Sequence, residues 1–285
     1  MEKAINRYRN KKGYLKRDFE IFHIKDKKDL KFQFHYHDFN KIIIFISGKV
    51  TYLIEGKAYK LKPWDILLVN SNEIHKAIIE QNEVYERIII WVNSDFIIKH
   101  NQSNCDLFTC FNLASKQKIN LLRLNPYSLK NVKSILYNLE LARKDEEFGS
   151  HILSNSLFLQ FIVYLNRLFL DRSNIEELSD IQYDKSIGEI LNYINENLSE
   201  DLSIEKLASI FYTSKYYLMH KFKMQTGYTV HNYIVQKRLI MANSLVKKGS
   251  NITEAAIESG FKDYSTFLRA FKKTFGMSPK KYFKT

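Results

Sequence analysis

From Phe19 to about Val92 the chain is a succession of short apolar stretches, rich in Ile, Val, Phe and Tyr and separated by turn residues. FEIFHI, KFQFHYH, KIIIFIS, VTYLIEG, KAYKL, DILLVN, HKAIIE and YERIIIWV each have strand length, and their β-branched and aromatic content favours extended backbone. Gly48, Gly56 and Ser71–Glu73 mark turns, and VTYLIEGKAYKL reads as a hairpin around Gly56–Lys57. Many short strands at this spacing predict a β-sandwich or small barrel.

After Trp91 the apolar period lengthens. SDFIIKHN predicts a short helix capped by its Ser. NPYSLKNVKSILYNLELARKDEE, from Asn125, places Pro in the first turn and then Leu129, Val132, Ile135, Leu136 and Leu139 at helical spacing. SHILSNSLFLQFIVYLNRLFLD (150–171) follows as a helix apolar nearly all round. Such a helix needs cover, either from its own domain or from a second copy of the chain. DRSNIEELSDIQYDK (171–185) is polar and aperiodic, and everything beyond it has helical pattern. The expected organisation is an α+β multidomain protein. Residues 1–18 form a basic arm, 19–98 a β-barrel, 99–172 a helical segment that dimerises, 173–185 a linker and 186–285 an all-α domain.

Within that last segment the pattern repeats. SKYYLMHKFKMQTG (214–227) is echoed 49 residues later by DYSTFLRAFKKTFG (263–276), with an N-cap residue, then an apolar residue at +4, Phe at +8 and Gly at +13. Each is preceded by another short helix, and these align at an offset of 48. Ser203 caps the first, with Ile204, Leu207 and Ala208 inward. Asn251 caps its counterpart, with Glu254 in a capping-box position and Ile252 and Ala256 inward. Helix, tight turn, helix, with a small Ala at the crossing, is a helix-turn-helix unit. Two of them, joined by a long helix over Thr229–Val246, are expected.

With Leu218 and Phe222 buried, the outward residues of the first second-helix are Tyr216, Met219, His220 and Lys223. In the later copy, with Phe267 and Phe271 buried, they are Tyr264, Ser265, Leu268, Arg269, Lys272 and Lys273. Aromatic, hydrogen-bonding and cationic side chains of these kinds reach base edges and phosphates in a major groove. Charge strengthens the picture. The chain carries net +13, and residues 185–285 hold 16 Lys and Arg against 8 Asp and Glu. No acidic residue lies between Glu205 and Glu254 or after Asp263. A polyanionic partner, double-stranded DNA, is expected on the C-terminal part.

Other chemistry is not signalled. There is no P-loop, no G-x-S-x-G and no convincing Cys–His pair, and Cys105 and Cys110 alone suggest neither metal nor disulfide. No enzymatic activity and no cofactor are expected. No apolar run reaches membrane-spanning length, and the basic N-terminus lacks the apolar core of a signal peptide. A cytoplasmic protein without membrane contact is therefore expected.

Residues 186–284 resemble the C-terminal domain of the AraC/XylS family of bacterial transcription regulators. The resemblance rests on DLSIEKLA, SKYYLMHKFKMQTG, YIVQKRLIMANSLV and ITEAAIESGFKDYSTFLRAFKKTFGMSPKKY, in that order. It implies two recognition helices, about 215–225 and 264–274, with base-reading positions at Tyr216, Met219, His220, Tyr264, Ser265 and Arg269. Arg238 falls on the helix that spaces them. FHYHDFNKIIIFISGKVTYLIEGKAYKLKPWDILLVNSNEIHKAII resembles the cupin-like sensor domain that many such regulators carry. This implies a small-molecule effector pocket, with His35, His37, Trp64 and His75 as lining candidates. Enzymatic cupins bind a transition metal through H-x-H-x3-Glu and a later His. Here His35, His37 and His75 match, but Lys41 stands at the Glu position, so no metal is expected. A cupin metalloenzyme fused to a DNA-binding domain, and a DNA-binding protein without sensing, are the alternatives.

Overall fold

The structure, a computed structural model, describes residues 15, 17–26, 35–80, 83–117, 119–171, 181–182 and 184–283. Most of the expected basic arm and of the expected linker lies outside the described residues, as do residues 31–34 of the expected strand KFQFHYH. The chain divides into two compact units, one of residues 1–54 and 58–181, the other of 55–57 and 182–285.

The first unit is built on strands β1 (Phe19–Asp26), β2 (Asn40–Ser47), β3 (Val50–Ile54), β4 (Lys57–Lys60), β5 (Ile66–Val69), β6 (His75–Ile79), β7 (Tyr85–Val92) and β8 (Leu121–Leu122). One sheet runs β1-β7-β2-β5-β8, and β6, β3 and β4 are neighbours in a second. The unbroken apolar run of β2 follows from its position. It pairs with β5 on one side and β7 on the other, and both its faces are covered. Ile42 and Ile44 point, with Ile66, Leu68, Ile88 and Ile90, into a cluster roofed by helices. Ile43 and Phe45 point the other way, with Leu67, Val69, Ile89 and Trp91, into a cluster completed by Val50, Tyr52 and Ala77 of the second sheet. That second cluster is the barrel interior.

Helices α1 (Ser94–His100), α2 (Thr109–Gln117), α3 (Pro126–Ala142) and α4 (Ser150–Leu170) form the roof. Phe111 of α2, Val132 and Leu136 of α3, and Phe158, Phe161 and Leu165 of α4 are buried there, and Phe158 stacks on Phe19 at 4.2 Å. A single buried amide ties α2 to α4. Asn166 accepts from the Cys110 N–H (2.6 Å) and donates to the carbonyls of Leu107 (3.0 Å) and Ile162 (2.9 Å). Both amide hydrogens and one lone pair of its oxygen are thereby used inside the core.

Three expectations shift. The cap of α1 is Asn93, whose side chain accepts from the Asp95 N–H, and Ser94 is already helical. The β3–β4 turn is Glu55–Gly56, both with positive φ (44° and 80°), one residue earlier than expected and of the kind that matches strand twist. Finally, α4 is 21 residues long with a mean hydropathy of 1.3, enough by length and composition to cross a membrane. Its polar residues are interspersed among the apolar ones, which is why it does not read as an unbroken run; one side of it is seated in the core just described.

The second unit is helical: α5 (Lys185–Glu196), α6 (Ile204–Ile210), α7 (Lys215–Thr226), α8 (Val230–Lys247), α9 (Ile252–Glu258), α10 (Tyr264–Phe275) and α11 (Pro279–Tyr282). The repeat is larger than the two short helices. Buried Leu191 and Ile194 of α5 match buried Leu239 and Ala242 of α8 at the same 48-residue offset, so each copy contains three helices. The turns also superpose bond for bond. Thr213 N–H reaches the Ala208 carbonyl (3.0 Å), and Phe261 N–H reaches that of Ala256 (3.1 Å). Each turn has one left-handed residue, Tyr212 (φ 48°) in the first copy and Gly260 (φ 91°) in the second. The extra residue of the later copy therefore lies after this point, in Phe261–Lys262. Beyond the recognition helices, Gly227 and Gly276 both sit at φ 74° and close the helix by donating to Lys223 and Lys272.

The two left-handed positions differ in tolerance. A Cβ on Gly260 would lie 2.0 Å from the Leu198 carbonyl oxygen, whereas Tyr212 is 98% exposed. Gly260→Ala is expected to lower stability by about 1–3 kcal/mol or more. Tyr212→Gly, which relieves a strained side chain, is expected to lie between neutral and about 1 kcal/mol stabilising. Urea unfolding of the full chain measures both, and equal losses at the two sites would refute the assignment.

Candidate functional sites

The recognition faces follow from what the helices bury. In α7, Leu218, Phe222 and Thr226 recur every four residues on the inner side, which turns Tyr216, Met219, His220 and Lys223 outward, all exposed. Ser214 anchors the start by accepting from the Tyr217 N–H (3.1 Å). The rings of Tyr216 and His220 stack one helical turn apart, with centroids 6.1 Å apart and planes 15° apart. In α10 the buried pair is Phe267 and Phe271. Ser265, Arg269, Lys272 and Lys273 are exposed, while Tyr264 and Leu268 are half-buried. Asp263 caps this helix through the Thr266 N–H (2.7 Å) and hydroxyl; these bonds hold its carboxyl below the usual range. The cap of α9 is simpler than the expected box: Asn251 accepts from the Thr253 N–H (2.8 Å).

The 49-residue register sets Ser265 opposite Tyr216, Leu268 opposite Met219, Arg269 opposite His220 and Lys272 opposite Lys223. Tyr264 stands opposite Lys215, not Tyr216, and its ring lies 5.8 Å from that of Phe267, against the core of this unit. It is the candidate least turned outward, because it occupies the first helical position, where the chain still crosses the inner side. Charge is unequally committed as well. Lys215 pairs with Glu205 and Lys221 with Asp184, both at 2.6 Å. Among the described residues Arg269, Lys272 and Lys273 make no ion pair at contact distance; Arg269 makes a 3.5 Å contact to Thr266 and is close enough for its charge to help lower the Asp263 carboxyl.

The outward face of α7 borders a groove of about 1100 Å³, whose other walls include Ile257, Phe261 and Lys262 at the end of the second copy's turn. Arg238, on α8, holds the two copies together from beneath. It donates to the carbonyls of Leu198 (2.9 Å) and Glu200 (2.7 Å), so it closes the segment after α5 and is half-buried. Its place on the long joining helix was expected; its hydrogen-bond partners were not, because carbonyls carry no sequence signal.

In the barrel interior the structure brings three of the four pocket candidates together. His35 and His75 face each other across a backbone bridge, with N–H to carbonyl distances of 3.1 and 2.9 Å. The ring centroids of His35, His37 and His75 lie 4.4–5.3 Å apart. His75 Nδ1 lies 2.8 Å from the Glu73 carbonyl oxygen. That bond places the proton on Nδ1 and leaves Nε2 as a bare acceptor. His37 stacks on Phe39 at 4.7 Å. Burial, reinforced by Lys41 and neighbouring histidines, holds His37 and His75 well below the ordinary imidazole range, so both are neutral. Trp64 is not with them. Its indole lies under the Lys133 ammonium (4.3 Å) and packs against the helix-roofed cluster. Its left-handed backbone (φ 72°) turns it out of the strand alternation. Lys41 is the lining residue that alternation supplies instead: it shares the face of Ile43 and Phe45, pairs with Trp91 and Val69, and is 1% exposed.

Residues 207–285 match the model of a helix-turn-helix domain, and residues 20–97 that of an AraC-like ligand binding domain. A Photobacterium leiognathi protein described as probable transcriptional regulator LumQ is 25% identical over 252 residues, which cover 87% of this chain and 91% of that protein. The HTH-type transcriptional activator RhaR of Mannheimia succiniciproducens is 24% identical over 260 residues, covering 88% and 87%. A solved structure from Listeria innocua is 33% identical over 34% of this chain and 94% of its own, with a TM-score of 0.33.

Arg238→Ala is expected to destabilise the protein by about 1–3 kcal/mol, the cost of losing two charge-assisted hydrogen bonds to backbone carbonyls, one of them half-buried, seen as a lower urea midpoint of the full chain. An unchanged midpoint with lost DNA binding would make Arg238 a DNA contact instead.

Proposed function

We propose that this chain is a member of the AraC/XylS family of bacterial transcription regulators, a reading supported by its matches to a helix-turn-helix domain and an AraC-like ligand binding domain, and we propose how it reads DNA and where it senses. It is a DNA-binding transcription regulator with a ligand-binding domain. The helices α7 and α10 enter successive major grooves on one face of the duplex, about 34 Å apart, so one chain covers a two-part, non-palindromic site. The observation that carries this reading is the doubled helix-turn-helix, matched cap for cap and turn for turn, with a hydrogen-bonding and cationic face on each second helix.

The shares are unequal. Arg269 is the principal base reader, bidentate to guanine in the manner its fork allows. Ser265 and Leu268 contact neighbouring bases, and Lys272 and Lys273 bind phosphates. In the first copy Tyr216, Met219 and His220 read bases and Lys223 binds phosphate, with Tyr264 a peripheral contact.

Residues 19–98 bind a small-molecule effector in the barrel, beside His35, His37 and His75, and 99–172 pair two chains. Exposed Tyr137, Leu141, Ile152 and Leu153 on α3 and α4 supply apolar surface for a homodimer. The protein catalyses nothing and acts in the cytoplasm. Its curated relatives named as activators favour activation as the direction.

Arg269→Ala is expected to weaken specific binding by about 1–3 kcal/mol and relax base preference under α10. Lys273→Ala is expected to lower affinity on all sequences and flatten the salt dependence by about one unit. Titrations of cognate and random duplexes at several salt concentrations check both. Equal losses on the two DNAs for Arg269→Ala reject its role as a reader.

A further inference from the structure

We propose that α7 reads its half of the DNA site through thymine methyl groups, with Met219 as the central contact, so that A·T pairs lie beneath it. This deepens and rests on the reading of α7 and α10 as recognition helices. The C5-methyl of thymine is the one apolar feature that base edges present in the major groove, and apolar side chains distinguish it.

The 49-residue register compares the two faces position by position. Ser265, Arg269 and Lys273 of α10 are replaced in α7 by Tyr216, His220 and Met224. Tyr216 is 77% and Met224 68% exposed. Met219 is exposed as well, whereas Leu268 opposite it is half-buried, so this apolar position reaches outward fully only in the first copy. Arg, Asn and Gln, the side chains that pair bidentately with purine edges, do not occur among Tyr216, Met219, His220 and Lys223. Gln225, the only such residue in the helix, is half-buried.

The apolar surface continues sideways. Met219 lines the same groove as Ile257 and Phe261 of the second copy, and Ile257 is itself exposed. Leaving this much carbon in water costs free energy that an apolar partner relieves. Positive charge is scarce beside it. Lys215 and Lys221 are engaged by Glu205 and Asp184, and the groove also carries the carboxylates of Glu200 and Asp201. Lys223 is the one lysine or arginine among the four outward residues, and a phosphate contact of its kind positions the helix without specifying bases. Discrimination at α7 therefore comes from desolvating carbon, while α10 discriminates through the forked Arg269.

The test starts from sites selected by the full chain out of a random duplex library. Two segments about one helical turn apart are expected, one with guanine under α10 and one of A·T pairs under α7. Each thymine is then replaced by deoxyuridine, which keeps every hydrogen-bonding group and lacks only the methyl. Wild-type affinity is expected to fall about fourfold per contacted methyl in the α7 segment. Met219→Leu is expected to keep that sensitivity and Met219→Ala to lose it. A G·C segment under α7, deoxyuridine without effect in the wild type, or sensitivity intact in Met219→Ala overturns the proposal. Guanine preference that Arg269→Ala relaxes would then still show that the helices read DNA. Absence of base preference in both segments refutes the DNA reading itself, and the proposal with it. The wild-type arm decides without any variant, and an unchanged urea midpoint confirms that the Met219 variants fold.

Discussion

The left-handed turn between the two helices of each helix-turn-helix unit is the constraint on which the DNA-facing geometry depends. After α6 and after α9 the chain must reverse within a few residues, while the small Ala208 and Ala256 let the next helix cross closely. A single residue at positive φ, followed by an N–H that reaches back five residues to that Ala carbonyl, accomplishes this in both copies. Once the crossing is set, the burial of Leu218 and Phe222, or Phe267 and Phe271, leaves no freedom over which side chains face outward. The recognition surface is thus a consequence of the turn and two buried rows. That is why a helix as short as 12 residues, marginal in isolation, can present a defined set of outward side chains.

Much of this was legible in the sequence, because its signals are local. Cap residues, Gly at +13 and apolar residues at +4 and +8 are written in fixed positions, and Ser203, Ser214, Asn251 and Asp263 all cap as their side chains allow. The extension of the repeat into α5 was hidden, since Leu191 and Ile194 match Leu239 and Ala242 in burial and not in a shared motif. The left-handed Tyr212 was hidden for the opposite reason: tertiary context holds a tyrosine where only glycine would have announced the conformation. In the barrel, strand existence was plain from composition, but the side on which Trp64 falls depended on a positive φ that interrupts the alternation. Such interruptions are decided by the partner strand, here by the hydrogen bond between Trp64 N–H and the Phe45 carbonyl.

The two copies share a scaffold and diverge where burial stops constraining them. Inner positions keep their character from copy to copy, Leu218 with Phe267 and Phe222 with Phe271. Outer positions change from His220 to Arg269 and from Met224 to Lys273. Exposed ion pairs contribute little stability, so the Lys215–Glu205 and Lys221–Asp184 contacts matter less for holding the fold than for local charge. They neutralise cations on and beside α7, while the cations of α10 remain available to phosphates. On the proposed reading, a duplex engaging both helices would meet a strong electrostatic anchor at α10 and a more stacking-dependent surface at α7, where Tyr216 and His220 lie ring over ring.

The same separation between scaffold and chemistry holds in the barrel. Every second residue of β2 and β7 must be apolar for the two sheets to close, and Ile43, Phe45, Ile89 and Trp91 meet that demand. On these two strands Lys41 and Arg87, each 1% exposed, depart from it, and the histidines join them from neighbouring segments. A fold built for stability alone would not leave the buried ring nitrogens of His37 and the Nε2 of His75 without a partner, because each polar group buried without compensation lowers stability. Apolar residues of similar size at His37 and His75 would pack beside Phe39 and Tyr52 without that penalty. The stability forgone at these positions has a return only if something from solution enters the barrel and satisfies the exposed lone pairs. Among the described residues of the first unit, this interior is where the proposed effector reading explains what folding alone does not.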